Sequence, residues 1–351
     1  MRYLKKDGIK IELDLKDELK NFEKEEQYTI PIFIPHKGCK NECVFCNQRT
    51  ISGTLVVPTS NEIDNKIKEY LGYIKDKRND KKVEIAFFGG SFTGLDMKEQ
   101  TSYLEVANKY IKNGEVNSIR VSTRPDYIDM LILSNLKKYG VGTIELGVQS
   151  MNGSVLMASK RGHTTSDVIR ASRLIKLFNI KLGHQIMIGL PKSNKNIDIE
   201  TARQIVRMAP NEIRIYPVYV IKGSELYDLY INGRYTPISF EEAIERTLEV
   251  VRIINKTNIK IIRLGLQSTE EITAKNVNIV GPVCDNFAEY VMCELVKEKM
   301  EKEIISKNIK KDRKVIFAVP RKYISVTVGP KKVNKIYFEE KYNIKMGVKE
   351  L

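Results

Sequence analysis

Three cysteines, Cys39, Cys43 and Cys46, fall within the stretch PHKGCKNECVFCNQ with the spacing C-x3-C-x2-C, and Phe45 immediately precedes the third sulfur. Thiolates hold iron–sulfur clusters, and a [4Fe–4S] cluster with full protein ligation takes four of them. Three sulfurs would leave one iron open to bind a further group. A tetrahedral zinc ion also needs a fourth ligand, which His36 can supply three residues upstream of Cys39. A disulfide with one thiol left over is the third reading.

Spacing and aromatic residue together resemble the cluster motif of the radical S-adenosylmethionine (radical SAM) enzymes. The resemblance implies a [4Fe–4S] cluster on Cys39, Cys43 and Cys46, with SAM bound through its amino and carboxylate groups at the open iron. It further implies reductive cleavage of SAM to methionine and a 5′-deoxyadenosyl radical, fed by an electron donor such as a ferredoxin or flavodoxin. In such systems the cofactors carry the chemistry, and the protein orients them and excludes water.

The elements that must position these cysteines follow a regular alternation. Strand-like runs occur at 31–36, 83–88, 118–123, 142–148, 181–189, 212–220 and 259–265, and helix-period segments at 60–76, 97–112, 127–139, 164–178, 198–209 and 240–256. Strands alternating with helices predict βαβ units on a parallel sheet. The expected fold class is α/β, a radical SAM-type partial (β/α) barrel over 29–268, with a doubly wound open sheet as the runner-up. Residues 1–28 are read as a charged, helical or loosely ordered lead-in, and 269–351 as a small basic α+β C-terminal domain.

In βα barrels, chemistry gathers at the carboxyl ends of the strands, and the polar and glycine-rich clusters of this sequence fall there. Gly89 and Gly90 end the second strand, where glycine permits close backbone approach to a ligand; a strand-to-helix turn explains them equally. Radical SAM proteins usually end this segment in Glu, which bonds the SAM amino group. Here Ser91 stands in that place, so only backbone contacts carry over. Ser122 and Arg124 close the third strand, Arg124 as a partner for a carboxylate or phosphate, and Asp126 as a cap for the following helix. Gln149 offers an amide to ribose hydroxyls. Arg161 offers a bidentate fork to the carboxylate of a bound amino acid, and Thr164 a helix cap. His163 reads as structural; His184 is either a core residue or an inward-facing site residue.

The motifs STRPD (122–126), YG-VGTIELGVQSM (139–151), RGHT (161–164), HQIMIGLP (184–191) and IYPVYVIKGSELYDLYINGRY (215–235) resemble the radical SAM half of the Elongator catalytic subunit. That resemblance implies work on the wobble uridine of transfer RNA. The cysteine spacing is shorter than in that subunit, and the residues after the barrel are too few for its acetyltransferase domain. Coproporphyrinogen dehydrogenases share RGHT and GVQS but add a fourth cysteine where this chain has Gln48.

The chain carries 59 Lys and Arg against 44 Asp and Glu, a formal charge of +15. Residues 301–351 hold 14 basic and 6 acidic side chains, or +8. Such asymmetry points to a polyanionic partner. Near the end, a short strand, the loop Gly329-Pro330-Lys331-Lys332 and a helix resemble in part the KH module, whose loop clamps a nucleic-acid backbone. Lys331 and Lys332 are therefore candidate RNA contacts; a small cap closing the barrel is the plainer reading. No apolar run reaches the length of a membrane span, no signal peptide core is visible, and cysteine usage fits a reducing cytoplasm. The functional expectation is a cytoplasmic radical SAM enzyme that modifies a base in RNA, a tRNA-modifying transferase. The alternatives are a radical SAM enzyme acting on a small molecule or peptide, and an RNA-binding protein with a structural cluster.

Overall fold

The computed structural model describes residues 8–23, 27–34, 38, 39, 43–47, 57–75, 81–266 and 276–351. His36 and Gln48, singled out in the sequence, lie outside them. In chain order the elements are β1 Ile9–Glu12, α1 Lys16–Leu19, β2 Gln27–Ile34, α2 Ser60–Ile74, β3 Lys82–Gly89, α3 Met97–Lys112, β4 Ser118–Thr123, α4 Met130–Lys138 and β5 Val141–Gln149. There follow α5 Gly153–Ala158, α6 Thr165–Leu177, β6 Lys181–Ile188, α7 Lys195–Met208, β7 Glu212–Pro217, β8 Val220–Ile221, α8 Glu225–Ile231, α9 Phe240–Ile254 and β9 Lys260–Leu264. Last come β10 Ile279–Val280, α10 Phe287–Ser306, β11 Lys314–Val319, α11 Ile324–Val328, α12 Val333–Tyr342 and β12 Lys345–Glu350.

Seven strands form one parallel sheet in the order β2-β3-β4-β5-β6-β7-β9. Chain order and spatial order agree, as expected when each strand is followed by a crossover helix of fixed hand. Helices α2 to α9 begin on side-chain caps that satisfy free N–H groups. Thr59 and Glu62 form a capping box on α2, and Thr164 and Asp167 form one on α6. Asp96, Asp129, Asn152, Asn194, Ser224 and Ser239 cap α3, α4, α5, α7, α8 and α9. The helix before β5 is thus capped by Asp129, whereas Asp126 turns back onto Arg124.

The strands alternate between two faces. Ile30, Ile32, Ile34, Val83, Ile85, Phe87, Ile119, Val121, Ile144 and Leu146 are buried in the main core. The opposite face carries charge. Arg120 on β4 is paired with Glu84 on β3 at 2.7 Å, with Glu145 on β5 at 3.6 Å, and with Glu212 on β7. Arg214 on β7 meets Glu145 at 2.6 Å and lies over the Phe88 ring of β3 at 5.3 Å. Neighbouring strands are about 4.8 Å apart. In a flat sheet β4 and β7 would therefore stand about 14 Å apart, beyond the reach of one ion pair. The sheet must curl, and the charged face is its inner, concave one. The fold is the expected half-barrel; an open doubly wound sheet would not bring β3 and β4 to β7.

Two local expectations are corrected. The N-terminal segment is not simply a helical or loosely ordered lead-in: β1 pairs in parallel with β11, which pairs in parallel with β12, giving a second, three-stranded sheet. Ile11, Leu13 and Leu15 are buried while Lys10, Glu12 and Asp14 are exposed, a period-two pattern. Residues 324–328 are helical rather than extended, so the Lys331–Lys332 loop joins two helices, α11 and α12. The β-branched run ISVTV suggests a strand by propensity. Burial of Val326 and Thr327, with the Thr327 hydroxyl bonded to Tyr323 O at 2.7 Å, overrides it. Among the described residues no helix is long and apolar enough to cross a membrane.

His184 resolves as a core residue. It is fully buried and lies 2.9 Å from the Ser172 hydroxyl of α6, and burial pushes its imidazole down to about 3. The unfolded chain therefore takes up a proton below the ordinary histidine value that the folded chain refuses. Stability is fully present above about pH 6.5 and falls as pH drops towards 3. Between pH 6.5 and 5, before carboxylates titrate, His184 should account for about 1.5 kcal/mol of lost stability. Urea unfolding of His184→Gln should show a shallower fall across that range. Arg120→Met, which leaves three carboxylates without their shared cation, should cost about 3–5 kcal/mol in the same assay at pH 7.

Candidate active site at the carboxyl edge of the half-barrel

The cysteine loop leaves the end of β2 and is seated against the turn that follows β3. Gly38 has φ +78°, and a Cβ there would stand 2.1 Å from Ser91 O. A Cβ on Gly94 would stand 2.0 Å from Gly38 O and 2.8 Å from the Tyr127 ring. Two bare backbones thus pack face to face where any side chain would separate them. Farther along, Val44 N bonds Ser159 O at 3.2 Å, and Leu226 N bonds Val44 O at 2.7 Å. Asn47 Nδ2 bonds Lys222 O at 2.9 Å. The loop is therefore stitched to α5 and to the start of α8, with Val44 buried in an apolar cluster that includes Val155 and Leu226.

Each of the three cysteines is of intermediate exposure, and none is paired in a disulfide among the described residues. Cys39 Sγ lies 3.4 Å from Ser91 Oγ. Cys43 Sγ accepts a hydrogen bond from Arg161 Nη1 at 3.1 Å, and Arg161 Nη2 donates to Gly147 O at 2.7 Å. Cys46 N bonds Cys43 O at 2.9 Å. Among the described residues no three His, Cys, Asp or Glu side chains are gathered as a metal centre. The donor set still suits a cluster: three partly exposed cysteine sulfurs on one anchored loop, one of them accepting a hydrogen bond from a buried guanidinium.

The other sequence candidates sit on successive strand ends. Gly89 has φ +103°, and Gly90 N bonds Ile34 O at 2.6 Å, which fixes the β3 end against β2. Ser122 faces the concave side, its hydroxyl donating to Glu145 at 3.3 Å. Arg124 is only 2% exposed; it forms a fork with Asp126 at 3.0 and 2.9 Å and lies over the Tyr127 ring. Gln149 adopts φ 64° at a bulge in the β5–β6 pairing, and its Oε1 accepts from Gln185 Nε2 at 3.0 Å. A non-glycine residue in that region costs of order 1 kcal/mol and marks a constrained position. Lys331 and Lys332 stand apart, exposed between α11 and α12, with φ of 52° and 63°.

His163 is buried with Nε2 3.2 Å from Val148 O. Burial, with Arg161 and Arg124 behind it, pushes its imidazole down to about 4. It is neutral at pH 7 and braces the strand end, as a structural histidine should.

The concave face holds residues that the motif reading passed over: Glu84, Arg120, Glu145, Gln185, Glu212, Arg214 and Tyr216. Arg120 is held charged: burial opposes it, but Glu84, Glu212 and Glu145 more than offset this and raise its pKa above the ordinary arginine value. Their signal was present as charged residues at alternate positions of otherwise aliphatic strands, in VEIAFF, SIRVST, TIELGV and EIRIYP.

Two family models match this chain. Residues 33–205 match the Radical SAM superfamily, and residues 210–302 match the Radical_SAM C-terminal domain. The chain belongs to the radical SAM superfamily. It is 33% identical over 184 residues to a tRNA uridine(34) acetyltransferase of Methanocaldococcus jannaschii, covering 47% of this chain and 34% of that one. It is 28% identical over 193 residues to Elongator complex protein 3 of Saccharomyces cerevisiae, covering 49% and 35%. The chain thus spans about a third of the length of these two relatives. Among solved structures, archaeal Elp3 of Methanocaldococcus infernus with an N-terminal deletion superposes with a TM-score of 0.59 at 23% identity, covering 82% of this chain and 64% of that one. At that identity the likeness bears on the fold.

The seat of the cysteine loop gives a direct test. Gly94→Ala should destabilise the apoprotein by about 1–3 kcal/mol in urea unfolding, the cost of overpacking against fixed backbone. Gly153→Ala, where a Cβ meets nothing within 4 Å, should leave stability unchanged or slightly raised.

Proposed function

We propose that this chain is a radical SAM enzyme that carries a [4Fe–4S] cluster on Cys39, Cys43 and Cys46 and modifies a base in RNA, with transfer RNA as the favoured substrate. The observation that carries the reading is the seating of the cysteine loop on the carboxyl edge of a parallel half-barrel, with Cys39 beside Ser91 after β3 and Cys43 tied through Arg161 to Gly147 near the end of β5. When bound, the cluster and SAM would supply an electron and a 5′-deoxyadenosyl radical. The chain's own part is to hold and orient. The cysteine loop would offer three sulfurs, and the backbone at Gly89 and Gly90 would line the amino end of SAM. Gln149, braced by Gln185, would meet the ribose. Arg124 and Arg161 would supply positive charge, and Ser122 would stand at the mouth of the concave face.

Transfer RNA is favoured because the curated relatives named above are a tRNA uridine(34) acetyltransferase and an Elongator protein, and because residues 301–351 carry +8. Lys331 and Lys332 would contact phosphate there. A ferredoxin or flavodoxin would deliver the electron, and a reducing cytoplasm would suit the thiols.

Anaerobically reconstituted protein should bind about four irons and four sulfides per chain and release 5′-deoxyadenosine from SAM with dithionite. Cys43→Ala should abolish that release, and zinc without iron in the purified protein would overturn the cluster. Transfer RNA should bind with affinity that falls at least about tenfold between about 50 and 200 mM salt. Binding that ignores salt would remove RNA from the reading while leaving the cluster standing.

A further inference from the structure

The three sulfurs do not share one environment. Cys39 faces a neutral hydroxyl, Ser91 Oγ, whereas Cys43 faces a guanidinium, Arg161 Nη1 at 3.1 Å. Arg161 is 7% exposed, and its other terminal nitrogen is committed to Gly147 O at 2.7 Å. Both ends of its fork are therefore engaged by the protein itself, and it points at a sulfur. A second cation stands behind it. Arg124 is 2% exposed, and its Nη1 is buried without a hydrogen-bond partner among the described residues. Burial opposes the charge on Arg124, yet Asp126, with Tyr127 and Cys43 adding to it, keeps its pKa above the ordinary arginine value. His163, beside both arginines, is depressed to about 4 and contributes no charge at pH 7. Two positive charges thus border Cys43, with the Asp126 carboxylate paired to Arg124.

We infer that Arg161, with Arg124 behind it, is a positioning residue for the cluster that compensates charge at Cys43, and is not the residue that grips the SAM carboxylate. The inference rests on the proposed cluster and departs from the role that the sequence suggests for Arg161. A cluster gains one negative charge when it takes up an electron, and hydrogen bonds and cations at its sulfurs favour the reduced form. At a buried site such a charge is weakly screened. Arg161 therefore makes the cluster easier to reduce by a weak donor. Gly147 is part of the same device. A Cβ at that position would stand 3.0 Å from both Arg161 Nη2 and Gln149 Nε2, so an alanine there crowds the guanidinium at its carbonyl anchor together with the Gln149 amide.

The test compares wild-type protein with Arg161→Gln, Arg161→Lys and Gly147→Ala. Each protein is loaded anaerobically with iron and sulfide and titrated with dithionite. The cluster is followed by the electron paramagnetic resonance signal of its reduced form, and SAM affinity is measured separately on the oxidised form. Arg161→Gln should move the midpoint to more negative potential while SAM affinity stays within about twofold. Arg161→Lys, which keeps charge but loses the fork, should fall between. Gly147→Ala should shift the midpoint in the same direction with Arg161 intact. An unmoved midpoint, together with SAM binding weakened tenfold or more in Arg161→Gln, would overturn the inference and return Arg161 to the SAM carboxylate. If Arg161→Gln fails to fold by circular dichroism, Gly147→Ala decides alone, its unmoved midpoint being equally fatal. Absence of any cluster in wild-type protein would instead defeat the proposed function.

Discussion

The curvature of the main sheet depends on charge that crosses its concave face. Arg120 reaches Glu84 beside it and Glu212 three strands away, while Arg214 reaches Glu145 and the Phe88 ring. Buried ion pairs are a poor source of net stability, because desolvation offsets most of their attraction. They are, however, exacting about geometry. An aliphatic interior would tolerate a range of radii, whereas a guanidinium shared by three carboxylates satisfies all of them at only one. The curl that follows sets the arc along which the strand ends, and the side chains on them, are arranged.

On that arc the cysteine loop is held by backbone rather than by its own side chains. Gly38 and Gly94 let two chain segments touch, Val44 exchanges hydrogen bonds with residues on α5 and α8, and Asn47 ties the far end to Lys222. The position of the loop is thereby fixed by backbone contacts and not by its cysteine side chains. Their neighbours differ, a hydroxyl at Cys39 and a guanidinium at Cys43, so the loop presents chemically distinct donors within eight residues.

Much of the barrel was legible because each strand and helix satisfies a local rule. Strand-like runs marked β2 to β7 and β9, helix-period segments marked the helices between them, and Thr164 marked a helix start. The cysteine spacing and the rim positions Gly89, Arg124, Gln149 and Arg161 were legible for the same reason. What escaped notice was long-range. Glu84, Arg120, Glu145, Glu212 and Arg214 look like ordinary surface charges until the sheet closes over them. Arg161 reads equally as a carboxylate or thiolate partner until Cys43, 118 residues away, arrives beside it. The IKIELDL alternation was passed over because its partner strand lies at the opposite end of the chain. ISVTV was misread because tertiary burial outweighed β-propensity.

The pairing of β1 with β11 brings residue 9 against residue 315. Closing so long a loop costs only slowly growing entropy, since the penalty rises with the logarithm of length, yet it fixes an order of events. During synthesis the first strand must wait for nearly the whole polypeptide, and its exposed aliphatic edge is meanwhile open to wrong pairings. The seven-stranded sheet can assemble step by step as each helix follows its strand. The small three-stranded sheet then acts as a latch, completed last, and its opening should release β1 and β12 together while leaving the half-barrel closed.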